Sequence, residues 1–167
     1  MTTPVGVSDT TEELLEDVLR RAELAYEAWS QTSREDRAAA LGIVADRLDQ
    51  AADELVAIAQ RESHLAEGRL RGELKRTTFQ LRLFGEVLTD GGYLEVRIDH
   101  ADPAWPMGAP RPDLRRQLEP IGPVVVFAAS NFPFAFSVAG GDTAAALAAG
   151  CSVVLKAHPG HPELSAL

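Results

Sequence analysis

Residues 118–162 read LEPIGPVVVFAASNFPFAFSVAGGDTAAALAAGCSVVLKAHPGHP. Two short apolar runs stand out, Val124-Val125-Val126-Phe127-Ala128 and Ser152-Val153-Val154-Leu155, with a small-residue segment of helical length, 134–149, between them. Strand, helix and strand at this spacing predict a βαβ unit with a right-handed crossover. Apolar runs without polar alternation fit strands covered on both faces, as in a parallel sheet. Asp142 is the only charge in the intervening segment, which predicts a buried helix, with Gly140-Gly141 inside it as a close packing surface. From Pro120 onward the only charged residues are Asp142, Lys156 and Glu163. Ser130, Asn131, Lys156 and His158 fall just past the C-terminal ends of the two predicted strands, the edge where open α/β sheets bind ligands.

Outward from this stretch, the 167 residues suffice for one domain with a real core. A hydrophobic content of 46% and a charged content of 25% suit a globular protein. The formal charge of −9, with no Lys/Arg block, argues against a nucleic-acid partner. A single cysteine, Cys151, excludes an internal disulfide and fits a reducing compartment. No run reaches the ~18 apolar residues of a membrane span. The opening MTTPVGVSDTTEELLED has neither the basic nor the apolar region of a secretory signal. The expected location is the cytoplasm.

Residues 1–9 read as a loose arm. Thr10 with Glu13 has the capping-box pattern and opens a first helix with Leu14, Val18, Ala22, Ala25 and Trp29 as its apolar positions. Ser33 to Asp36 opens a second, with Ala38, Leu41, Val44, Ala45 and Leu48 inward. A third is predicted over 52–61, and a fourth over 67–88 with Leu70, Leu74, Phe79, Leu81 and Phe84 inward. Asp90-Gly91-Gly92 ends it, because glycine supplies the left-handed residue at a helix C-terminus. Alternation over 93–99 predicts a strand, 101–113 is a Pro/Gly loop, and 114–118 returns as the second arm of a projecting hairpin. Its exposed edge suits coverage by a partner subunit. The organisation expected is a helical part at 1–92, a hairpin at 93–118 and the first βαβ at 119–167, an α/β fold interrupted after two parallel strands.

Several residues carry possible chemistry. Asn131 follows the first strand and precedes Pro133, which suits a first helical turn. Its amide could donate to a developing oxyanion near the positive end of a helix, or simply cap that helix. Lys156 at a strand tip can reach a ligand hydroxyl or phosphate, or snorkel over apolar surface. His158 and His161 lack a third metal ligand nearby, so no metal site is assigned. Cys151 sits at the opposite end of its strand and reads as a core residue rather than a nucleophile. The dinucleotide fingerprint, the P-loop and the G-x-S-x-G elbow are absent from the sequence.

Taken together, E-P-x-G-P-V at 119–124, A-S-N-F-P at 129–133 and A-G-x-x-V-V-x-K at 149–156 resemble the NAD(P)-dependent aldehyde dehydrogenase superfamily. The SNFPFAFSVAGGDTAAALAAGCSVVLKAHPGHP stretch and the upstream RTTFQLRLF at 76–84 resemble the branch acting on 2-oxoglutarate semialdehyde. The resemblance implies that Asn131 is the oxyanion-holding asparagine and that Lys156 bonds the adenosine ribose. It places Phe127, Ala128, Ala129, Ser130 and Asn131 along the nicotinamide side of the cofactor cleft, and Phe132 and Phe136 on the aldehyde tunnel wall. In many NAD-using members the third residue after that lysine is a glutamate that grips the ribose; here it is Pro159, with His158 beside it. Loss of that carboxylate implies acceptance of NADP, with NAD also usable. The 93–118 hairpin matches the family's oligomerisation element, implying a homo-oligomer, dimer or tetramer, when full length.

One departure qualifies the match. Family members are much longer, and their catalytic cysteine, general-base glutamate and glycine-rich cofactor turn correspond to sequence beyond Leu167. The expectation is therefore the N-terminal part of an aldehyde-oxidising enzyme, inactive as this chain alone. The alternative is a non-catalytic binding or assembly module, or a truncated paralogue.

Overall fold

The computed structural model describes residues 9–167, so nearly all of the arm predicted over 1–9 lies outside the described residues. Helix α1, Glu12–Trp29, is capped by Thr11, whose Oγ1 accepts from the Leu14 amide at 3.2 Å. The cap is one residue later than predicted, which puts Glu12 and Glu13 in the first turn at the positive end of the helix dipole. Helix α2, Arg34–Gln50, starts as predicted: the Ser33 hydroxyl accepts from the Asp36 amide at 3.1 Å and donates to its carboxylate at 2.7 Å. Helices α3, Ala52–Ser63, and α4, Glu67–Asp90, follow, and Gly91 at φ 76° ends α4 as expected.

α4 is the spine of the helical layer. Its buried positions Leu70, Leu74, Thr77, Thr78, Leu81, Gly85 and Leu88 recur at helical spacing and join two core clusters. One contains Leu55, Val56, Ile58, Ala59, Leu70, Leu74, Phe134 and Leu164; the other contains Leu41, Ala45, Leu81, Leu88, Ala144 and Ala148. Phe79 and Val44, predicted to point inward, are exposed, because each lies off the stripe that meets the neighbouring helices. On α1 only Ala22 of the predicted stripe is buried. This helix docks largely through hydrogen bonds: Ser152 Oγ to the Ala22 carbonyl (2.7 Å), Tyr26 Oη to Pro120 (3.0 Å) and Trp29 Nε1 to Leu147 (2.9 Å).

The hairpin is shorter than predicted. Strands β1, Arg97–Asp99, and β2, Leu114–Arg116, pair antiparallel with Ile98 opposite Arg115. Tyr93 and Leu94 lie instead in a 3₁₀ turn, Gly92–Leu94. There Asp90 Oδ2 accepts from the Gly92 amide (3.1 Å), and the Tyr93 hydroxyl accepts from Arg37 (3.3 Å).

Strands β3, Val124–Phe127, and β4, Val153–Lys156, pair in parallel as predicted, with helix α5, Gly141–Ala149, between them in sequence. A short helix α6, Pro162–Ala166, closes the described chain. Two expectations fail here. Val125 and Phe127 are exposed while Val126 is buried, so β3 is covered on one face rather than two. The helix predicted over 134–149 begins only at Gly141, and 131–140 is a series of turns. Gly140 therefore stands at the start of α5 rather than inside it. A Cβ on Gly140 would lie 2.4 Å from the Ala135 carbonyl oxygen, so the close approach of these two backbones requires glycine.

Candidate active site

The parallel register sets Phe127 opposite Lys156. One step further, the Ala128 amide donates to the Lys156 carbonyl at 3.1 Å, so the ladder runs to the sheet edge. Phe127 to Asn131 leave the tip of β3, and Lys156 to Pro159 leave the tip of β4 beside it. The cofactor-side residues predicted from sequence thus share one edge. Phe127, Ser130, Asn131, Lys156 and Pro159 are exposed there, His158 is half-buried and Ala128 is buried. Ala129 is held from both sides, its amide donating to the Phe136 carbonyl (2.8 Å) and its carbonyl accepting from His161 Nε2 (3.0 Å).

Asn131 is not a helix cap. α5 starts ten positions later, so the helix-dipole argument for its amide does not apply. The segment after it turns through Phe136 N–H to Phe132 O (3.2 Å) and Gly141 N–H to Ala135 O (2.9 Å). The physical reason lies on α4. Glu73 is 6% exposed, and its Oε1 accepts from the amides of both Phe134 (2.8 Å) and Ala135 (2.9 Å). A carboxylate that satisfies two successive amides holds a turn, much as an N-cap side chain does for a helix. Glu73 Oε2 is buried and has no hydrogen-bond partner among the described residues. Arg69, one turn before Glu73, donates to the Asn131 carbonyl. The Asn131 side chain takes no hydrogen bond from the described residues and lies exposed, leaving its amide able to donate.

Phe132 and Phe136 are brought together, edge to face, with centroids 5.3 Å apart at 89°. The Arg69 guanidinium lies 5.0 Å from the Phe132 centroid, and that of Arg76 lies 5.6 Å from the Phe136 centroid. Sequence reading missed Arg69, Glu73 and Arg76, whose i, i+4, i+7 spacing was the available signal. Glu73 is also the one charged residue on the buried stripe of α4, a position that a charged residue occupies only with partners.

At the β4 end, His161 is fully buried, and its Nε2 must carry the hydrogen because its partner is a carbonyl. Its Nδ1 contacts Ser165 Oγ at 3.0 Å, so both ring nitrogens are engaged by the protein. His158 stacks on His161 with ring centroids 5.6 Å apart, and its Nδ1 accepts from the Gly160 amide at 2.9 Å. Partial burial, then His161, then Lys156 hold the His158 imidazole below the ordinary histidine range. It is thus a neutral ring with its proton on Nε2, beside the Lys156 ammonium. Cys151, 2% exposed, starts β4 at the end away from this edge.

With this geometry in view, comparison with known proteins decides the family. The family model described as "Aldehyde dehydrogenase family" matches residues 2–167. The chain belongs to the aldehyde dehydrogenase family. It is 51% identical over 155 residues to alpha-ketoglutaric semialdehyde dehydrogenase 2 of Azospirillum brasilense, covering 90% of this chain and 29% of that protein. Alpha-ketoglutaric semialdehyde dehydrogenase of Acinetobacter baylyi is 48% identical over 150 residues, covering 88% of this chain and 28% of the relative. The chain therefore spans less than a third of the curated relatives it matches. Among solved structures, an aldehyde dehydrogenase from Brucella melitensis superposes with a TM-score of 0.80 at 22% identity, over 96% of this chain and 31% of its own. At that identity the likeness speaks to the fold. Aldehyde dehydrogenase 21 from Physcomitrella patens, in complex with the reaction product succinate, gives a TM-score of 0.75 at 27% identity, over 94% of this chain and 31% of its own. No helix among the described residues is long and apolar enough to cross a membrane.

Proposed function

We propose that this chain is the N-terminal part of an oxidoreductase that oxidises an aldehyde, 2-oxoglutarate semialdehyde, to the carboxylate with NADP. The observation that carries the reading is the shared edge, where the β3–β4 register sets Phe127 and Lys156 side by side and Asn131 emerges exposed next to them. Family membership and the names of the two curated relatives support it.

In this reading a cysteine thiolate outside this chain adds to the aldehyde carbon, and the Asn131 amide donates to the oxygen that gains the charge. Arg69 and Glu73 hold the backbone at Asn131 and just after it, so the amide is oriented before the reaction begins. Phe132 and Phe136 wall the approach of the aldehyde. NADP would supply the hydride acceptor when bound, and water would then hydrolyse the cysteine thioester to release the carboxylate and the thiol. The residues present fit it: Lys156 is exposed, forms no ion pair among the described residues, and has Pro159 where a carboxylate would repel a 2′-phosphate. The Lys156 ammonium holds the ribose side of that ligand, and neutral His158 offers an Nε2 donor beside it. The exposed apolar residues Val96, Ile98, Leu114 and Leu118 of the 93–118 hairpin supply the contact of a homo-oligomer.

The test is reduction of NADP and of NAD by the protein as its gene encodes it, supplied with 2-oxoglutarate semialdehyde. Aldehyde-dependent reduction with NADP preferred is expected, and the 167-residue chain alone should give none. Absence of reduction with either cofactor in the encoded protein would overturn the reading in favour of an assembly module.

A further inference from the structure

Of the four histidines, His161 alone is buried, with no exposed surface. A polar ring away from solvent needs partners. Its Nε2 donates to the Ala129 carbonyl at 3.0 Å, 32 positions back in the chain, and its Nδ1 meets Ser165 Oγ at 3.0 Å. The ring has a rigid support. It stands just before α6, where Glu62 on α3 accepts from the Glu163 and Leu164 amides (both 2.9 Å) and Leu164 joins the core cluster of α3 and α4. At the other end of the bond, Ala129 lies two positions before Asn131. The β3–β4 ladder ends just upstream, with the Ala128 amide on the Lys156 carbonyl. Just downstream, Arg69 and Glu73 take the backbone at Asn131, Phe134 and Ala135. Ala129 falls between these two supports. Its amide donates to Phe136 within its own loop, and among the described residues only His161 holds its carbonyl.

We infer that His161 is a positioning residue for the oxidation: by holding the Ala129 carbonyl it fixes the direction in which the chain leaves β3, and with it the placing of the Asn131 amide. The inference rests on the aldehyde-oxidising reading above and adds the residue that completes the support of its oxyanion donor. His161 has no exposed surface, so it acts on the reaction only through the loop. Preorganised donors keep their value only while their supporting bonds hold them in place. The same ring also backs His158, which stacks on it with centroids 5.6 Å apart beside Lys156. Were support of His158 its only contribution, removing it would weaken the hold on the cofactor and leave the chemistry intact. The experiment separates the two.

Glutamine and asparagine divide the two ring nitrogens between them. A glutamine amide nitrogen lies as many bonds from the backbone as Nε2, and an asparagine amide nitrogen as many as Nδ1. In the encoded protein, His161→Asn should lower kcat with 2-oxoglutarate semialdehyde about tenfold, as a displaced reacting geometry does, and leave the NADP KM within about twofold. His161→Gln should recover most of that loss, because its amide can still donate to Ala129. Backbone hydrogen exchange over 128–136 should quicken in His161→Asn and return towards the wild-type rate in His161→Gln. Equal kcat losses in the two variants, or a raised NADP KM with kcat unchanged, would overturn the inference. Should His161→Asn fail to fold, NMR of the wild-type ring decides. A slowly exchanging proton on Nε2 supports the anchor, and a ring proton on Nδ1 alone overturns it. If no aldehyde is oxidised yet the exchange pattern appears, the oxidation reading fails and the anchor on the loop stands. If the exchange over 128–136 is also unchanged, both fail.

Discussion

Two loops leave the same sheet edge and are anchored at different points along their length. The loop after β3 is pinned from a distance: Glu73 on α4 accepts two of its amides, and Arg69 donates to the Asn131 carbonyl. The loop after β4 is ordered within itself by Gly160 N–H on His158 and the His158–His161 stack, with one bond from His161 to Ala129, and only past its end does Glu62 on α3 accept from the Glu163 and Leu164 amides (both 2.9 Å). A loop that must present an amide to a reacting atom gains from anchors on a rigid helix, whose own position is fixed by the core. In the segment after β4 the helix anchor lies past the edge residues, so His158 is placed by local contacts alone.

The sharpest way to break this comparison is at Asn131. In the encoded enzyme Asn131→Ala should lower kcat by about 10² to 10³, the cost of one oxyanion donor, with little change in KM. A loss below about threefold would remove the first loop's privileged role. Next in size is the anchor itself. Glu73→Ala strands two buried amides and should cost about 2–3 kcal/mol in denaturant unfolding of the encoded protein, with kcat falling as the loop loosens. Glu73→Gln keeps an acceptor at Oε1 and removes a buried charge, so its cost should stay below about 1 kcal/mol. If Gln proves as damaging as Ala, the negative charge itself is required, and the unpartnered Oε2 has a ligand of its own.

This contrast also explains what could be read in the sequence. The end of β3, the small-residue run and the tip of β4 are contiguous in the chain, and the parallel pairing of the two strands followed from their order, whereas the register that sets Phe127 opposite Lys156 did not. Caps at Ser33 and Gly91 were equally local, one through a hydroxyl and one through backbone freedom. Glu73 lies 61 positions from Phe134, and nothing in the run Phe134 to Gly140 announces that a carboxylate elsewhere will take its amides. Small apolar residues there matched a helix in composition, yet the bonds to Glu73 and the tight Gly140–Ala135 contact favour a turn. Phe79 was misread for a similar reason. Several inward stripes can be drawn on a long helix such as α4, and only its neighbours choose among them.

A smaller effect probes the second loop. Lys156→Met should raise the KM for NADP about tenfold, the value of one charge-assisted contact, and leave kcat at saturating cofactor within a factor of two or so. The same substitution should act less on NAD, which lacks the 2′-phosphate, and so reduce the preference between the two. An equal loss with both cofactors would place Lys156 on a feature they share, and a fall in kcat would couple the second loop to the chemistry of the first.

The smallest effect is the titration of His158. Its folded value lies below the unfolded 6.5, because partial burial, His161 and Lys156 all disfavour the imidazolium. Between those two values the unfolded chain binds more protons than the folded one, so this group's contribution is present above pH 6.5 and is lost as pH falls through the folded value. The proton that enters at low pH goes to Nδ1, where the Gly160 amide now donates, so charging the ring also breaks the bond that shapes the loop. NMR titration of the His158 ring should give a midpoint below 6.5, with the Gly160 amide resonance moving in step. In Lys156→Met the midpoint should move up slightly, since one cation is gone, while burial and His161 still hold it down. A midpoint at or above 6.5 in the wild-type protein would mean that the second loop opens in solution, and local order at this edge would then depend on the bound cofactor.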